Sequence, residues 1–196
     1  FKISVWFFFM SIFLLYFSFR SLVIFRISLN HLSVLSCISL HFLKIIIYNA
    51  FLGISHSIAH KIGGEYGIPH GRTNAILLPH VIRYNAKDPQ KHALFPKYDF
   101  FRADTDYADI AKFLGLKGNT TEELVDALAN AVYDLGCSVG IDMNLKSQGV
   151  TEELLHSTID RMAELAFEDQ CTTANPKEPL ISELKGIIET AYDYER

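Results

Sequence analysis

Residues 49 to 85 read NAFLGISHSIAHKIGGEYGIPHGRTNAILLPHVIRYN, and the spacing of their apolar residues and histidines sets the reading of the whole chain. Asn49 to Ile62 has helical spacing and is expected to stop at Gly63-Gly64, where a positive-φ cap costs least. A short loop, Glu65 to Pro69, leads to His70. Asn74 to Asn85 is apolar at Ala75, Ile76, Leu78, Val81 and Ile82, a second helix that Pro79 interrupts or kinks.

Helical signals continue outward to the C-terminus. Ala86 to Arg102 is a polar connection with no period, and Asp104 to Leu114 is a short helix. Thr120-Thr121-Glu122-Glu123 is a capping box. It opens a helix that buries Leu124, Leu128, Val132 and Leu135 and ends at Gly136. Thr151 starts another, with Glu152 and Glu153 in its positive first turn and a stripe of Leu155, Ile159, Met162 and Leu165. Pro179 opens the last, which carries Leu180, Leu184, Ile187 and Ala191. No period-2 strand pattern and no internal repeat occurs from Asn49 onward, so this part is expected to be all-α.

Outward in the other direction the composition breaks at Asn49. Residues 1 to 48 contain Lys2, Arg20, Arg26 and Lys44 and no acidic residue, so they carry +4, while the remaining 148 residues carry -8. Nine of the 15 phenylalanines lie in this extension, which lacks Gly, Pro, Ala, Thr, Asp, Glu and Gln. Two uncharged stretches of 17 residues, Ile3 to Phe19 and Ile27 to Leu43, are at the short end of what spans a bilayer. Membrane helices use Gly and Ala freely for packing, and no signal-peptide cleavage site appears. The vocabulary matches translated T-rich noncoding DNA. Residues 1–48 are therefore read as a gene-model or fragment artefact, with a genuine membrane anchor as the alternative, and 49–196 as the helical domain.

The acidic body has no basic patch, which argues against a nucleic-acid partner. Cys37, Cys137 and Cys171 form no CxxC pair, so a reduced, cytoplasmic compartment is expected.

Four of the eight histidines, His56, His60, His70 and His80, fall within 25 residues. His56 and His60, four apart, share one helix face, and the Gly-Ile-Pro turn can bring His70 back toward it. Imidazole suits iron, zinc, copper and nickel alike. The zinc protease motif HExxH fails because Ser57 stands where its glutamate is needed. Spacing alone leaves open three unrelated histidines, one capping a helix and two on a surface.

The run from Asn49 to Asn85 resembles the metal-binding signature of the iron-containing alcohol dehydrogenases, most closely the alcohol dehydrogenase end of the bifunctional aldehyde-alcohol dehydrogenases. Phe167 to Pro176 (FEDQCTTANP) and Pro179 to Lys185 (PLISELK) extend the resemblance toward the C-terminus. It implies the C-terminal helical domain of the dehydroquinate synthase-like fold. It further implies a ferrous site, with zinc as an alternative ion, in which His56 and His70 are two ligands and an upstream aspartate and histidine the others. His60 corresponds to a residue beside the nicotinamide and substrate, and His80 to none, so His80 is read as structural or surface. NAD as cosubstrate, a small alcohol or aldehyde substrate and a homo-oligomeric enzyme are likewise implied. The resemblance ends at Asn49, ahead of which the family places its NAD-binding domain. The expectation is a C-terminal fragment, inactive alone, that belongs to an acetaldehyde/ethanol-interconverting enzyme. The rival readings are a non-catalytic helical module and a membrane-tethered remnant.

Overall fold

A computed structural model describes residues 52–89 and 101–196, and the extension 1–48 with its expected boundary at Asn49 lies outside them. The described residues form six α-helices: α1 (Ile54–Tyr66), α2 (His70–Ala86), α3 (Ala103–Phe113), α4 (Thr121–Ser138), α5 (Glu152–Phe167) and α6 (Ile181–Tyr192). Two 3-10 turns, Lys146–Gln148 and Gln170–Ala174, lie between them, and there is no strand among the described residues. None of their helices is long and apolar enough to cross a membrane.

The core follows from the helical stripes. Ile54, Ile58, Ala59 and Ile62 bury one side of α1 against Ile76 and Leu77 of α2, Leu155, Ile159 and Met162 of α5, and Leu184 and Ile188 of α6. Burying one such side chain stabilises by about 1.5–3 kcal/mol, so the stripe decides which face of α1 remains for the histidines. Helix α4 packs on α2 and α3, and α5 pairs with α6.

Several boundaries differ from the sequence expectation. Helix α1 runs through Gly63 and Gly64 and ends at Gly67, whose φ of 68° gives the left-handed cap. Gly63 serves close packing instead: a Cβ there would meet the Ile68 carbonyl oxygen at 3.0 Å. Helix α2 begins at His70 rather than Asn74 and passes through Pro79 unbroken.

Helix α4 extends to Ser138. Leu135 is exposed, while the smaller Gly136 is buried against Met143. Leu165 and Leu180 are exposed in the same way, and Ala163 and Ala166 take the buried places on α5. The caps behave as expected at Thr120 and Thr151, each accepting an N–H three residues on at 3.2 Å. Glu123 reaches one residue further back than a capping box requires, to the Asn119 N–H. Helix α6 begins at Ile181, with the Glu183 carboxylate accepting from the Leu180 N–H at 2.7 Å.

Candidate metal centre

Helix α1 starts at Gly53, whose φ of 78° and ψ of −174° are open essentially only to glycine. Its N–H donates to the Cys171 carbonyl at 3.0 Å, joining the start of α1 to the turn after α5. Asn175 makes the second tie: its Oδ1 accepts from the Ile54 N–H at 3.4 Å, and its amide exchanges hydrogen bonds with Asn85 at 2.8 and 3.2 Å. Buried Lys177 donates to the carbonyls of Tyr84 and Lys87 at 3.1 and 3.2 Å, a side-chain cap on the end of α2. These ties fix α1, the end of α2 and the 169–177 segment together.

On that frame the three candidate histidines converge. Ring centroids are 5.2 Å apart for His56 and His70, 5.1 Å for His60 and His70, and 6.3 Å for His56 and His60. His56 is the third residue of α1 and His70 the first of α2, returned by the Gly67-Ile68-Pro69 turn. His56 is half-buried, and its Nδ1 is sealed from solvent without a hydrogen-bond partner. Burial, reinforced by His70 and His60, lowers its pKa to about 4. His70 is lowered too, by burial and by His60.

Asn74 positions His70. Ser55 Oγ donates to Asn74 Oδ1 at 3.0 Å, which leaves Asn74 Nδ2 3.0 Å from His70 Nε2 and donating to the His70 carbonyl at 3.2 Å. His60 is more exposed, and its Nδ1 lies 3.1 Å from Asp169 Oδ2. Lys61 shares that oxygen at 2.9 Å, and the Cys171 N–H donates to Oδ1 at 2.9 Å. Burial acts to raise the Asp169 pKa, but these hydrogen bonds outweigh it and hold the carboxyl well below the usual carboxylate range.

His80, the fourth histidine of the run, packs on Tyr194 instead. It is buried, edge-on to the Tyr194 ring at 4.9 Å, and burial together with Arg83 lowers it to about 4. Asp169, Asn74 and Asn175 were not singled out from sequence. Asp169 was legible only as a cap for the turn at Cys171, because its partner His60 lies 109 residues away.

Residues 40–192 match the model of the Fe-containing alcohol dehydrogenase family, C-terminal. The aldehyde-alcohol dehydrogenase of Streptococcus pneumoniae serotype 4 is 54% identical over 144 residues, 74% of this chain and 16% of that protein. The bifunctional aldehyde-alcohol dehydrogenase AdhE of Escherichia coli K12 is 46% identical over 147 residues, again 74% and 16%. The crystal structure of an iron-containing alcohol dehydrogenase from Thermococcus thioreducens superposes with a TM-score of 0.59 at 32% identity, covering 76% of this chain and 34% of that one. The chain thus spans about 16% of the length of these curated relatives. Helical architecture, matched signature and shared sequence together place the chain in the Fe-containing alcohol dehydrogenase family.

Proposed function

We propose that this segment supplies half of the ferrous site of an NAD-dependent alcohol dehydrogenase of the aldehyde-alcohol dehydrogenase type, interconverting acetaldehyde and ethanol. The observations that carry this reading are the closeness of the His56 and His70 rings, 5.2 Å between centroids, and a buried His56 Nδ1 that has no hydrogen-bond partner. Such a nitrogen costs free energy unless something takes its lone pair. The low pKa of His56 keeps it neutral at pH 7, the form in which imidazole is a ligand. Both features fit Fe2+, or Zn2+ in its place.

When bound, the metal would act as a Lewis acid on the alcohol oxygen. The chain's own residues would do the rest. His56 and His70 would hold the ion, Asn74 keeping the His70 ring in place and giving up Nε2 on binding. His60 would donate its Nδ1–H to Asp169, which orients the ring and leaves Nε2 to accept and pass on the alcohol proton. The remaining ligands and the dinucleotide site would come from segments outside the described residues. The complete enzyme is proposed to be a cytoplasmic homo-oligomer that acts on small alcohols and aldehydes, with no nucleic-acid partner.

The test is iron content. In a full-length enzyme carrying this segment, His56→Ala and His70→Ala should each lose bound iron while keeping native helix content by circular dichroism. Full iron occupancy in either variant would sink the ligand assignment.

A further inference from the structure

On the outer side of the histidine trio lies a second group of donors. One imidazole nitrogen of His60, a carboxylate oxygen of Asp169 and the sulfur of Cys171 all lie within 4.8 Å of one another. We propose that these three side chains form a second cation site, distinct from the ferrous one, that selects a thiophilic divalent ion of the zinc class.

The donor set makes the selection. A thiolate, an imidazole and a carboxylate suit Zn2+, Cd2+ or Co2+, whereas oxygen-only ligands would favour Mg2+ or Ca2+. Geometry agrees. Donors about 2.0–2.3 Å from a tetrahedral ion stand roughly 3.3–3.8 Å from one another. The His60–Asp169 pair, at 3.1 Å, is already close to that spacing. Closing the remaining gap asks the sulfur to move by no more than about 1.5 Å.

The backbone holds the site from both sides. The Cys171 N–H donates to Asp169 Oδ1 and the Cys171 carbonyl accepts from Gly53, so the cysteine and the start of α1 keep their separation. Three protein ligands leave a fourth position for water. Binding releases one proton, from the Cys171 thiol, and the neutral His60 ring carries its proton on Nε2 instead of Nδ1, which frees Nδ1 as a ligand and ends its hydrogen bond to Asp169. Lys61 shares Asp169 Oδ2 at 2.9 Å and would lose part of that ion pair, which sets the affinity below that of a four-ligand structural site.

The consequence for the enzyme rests on the role proposed for His60. An ion that claims its Nδ1 removes the ring from Asp169 and from proton transfer, so excess zinc would inhibit by occupying the neighbouring site rather than by replacing iron.

The site is tested without reference to activity, by titrating the reduced, metal-free 196-residue chain with Co2+ and following the thiolate-to-cobalt charge-transfer band in the near ultraviolet. One thiolate-bearing cobalt per chain is expected, displaced by Zn2+. The band should persist in Cys37→Ser, in Cys137→Ser and in the His56→Ala/His70→Ala double variant, and vanish in Cys171→Ser. Asp169→Asn and His60→Ala should each weaken binding at least about tenfold. Circular dichroism establishes that each variant retains its helices, and Cys171→Ala provides a second removal of the sulfur. The proposal is overturned by a folded chain that shows no band, by a band that survives both Cys171 variants, or by its loss in the double histidine variant. That last outcome would move the sulfur into the ferrous site and leave the His56 and His70 assignment standing.

Discussion

Three imidazoles with ring centroids 5.1 to 6.3 Å apart cannot easily carry protons together, and half-buried His56 feels this most. His60 is the member set apart, since its Nδ1 faces a carboxylate. In the full-length enzyme His60→Ala should therefore retain iron and lose turnover by ~10²–10⁴-fold. Iron lost along with activity would make it a ligand or a structural residue instead.

His80 allows a stability test away from the trio. With a native pKa of about 4 against the ordinary 6.5, it is neutral in both native and unfolded chains above about pH 6.5. As pH falls from there toward 4, only the unfolded chain takes up the proton, so stability drops and then levels off. For a side chain this buried the loss is on the order of 2–3 kcal/mol. His80→Leu should make that part of the profile shallower, leaving the share that His56 and His70 contribute, read from urea midpoints at pH 7.5 and 5. An unchanged pH dependence would mean that His80 does not titrate as described.

Asn175 is where three elements depend on one amide: the start of α1, the end of α2 and the segment after α5. Asn175→Ala would leave the Asn85 amide and the Ile54 N–H without these partners in a buried setting. The expected cost is at least about 2 kcal/mol, measured by urea denaturation, together with weaker metal retention. A variant of wild-type stability would show that the junction is held by other contacts.

The helices themselves were legible in the sequence because each rests on local signals. The Thr120 and Thr151 caps and the Leu155-Ile159-Met162 stripe needed no distant partner. Gly63-Gly64 was misread as a stop because glycine is a poor helix former in isolation. Here the close approach of Ile68 requires the missing side chain, and packing overrides propensity. The stripe carried to the end of the helix puts Leu135 inside, whereas it is Gly136 that lies against Met143. Of the candidate site, the i, i+4 histidine pair could be seen directly. Asp169 and Asn175 could not, since no local period links residues more than 100 positions apart to α1.

The described body holds the proposed ligand pair His56 and His70 and the Asp169 carboxylate beside His60, and there is no dinucleotide-binding sheet among the described residues. The 196-residue chain given Fe2+, NAD and ethanol should accordingly form no NADH above background, followed by absorbance. Turnover would mean that residues 1–51 or 90–100 complete the enzyme. Within the body, Gly53 bonds to Cys171, His60 to Asp169 and Ile54 to Asn175, so both ends of a loop of more than 100 residues must meet before the trio is anchored. Closing a loop of that length carries a substantial entropic cost, and contacts so distant in sequence slow folding. During synthesis on the ribosome, α1 would emerge with its histidines already spaced but unsupported, and would wait for the last quarter of the chain. A message cut short before the codon for Asp169 would yield a product with every histidine of the trio and no stable place to hold them.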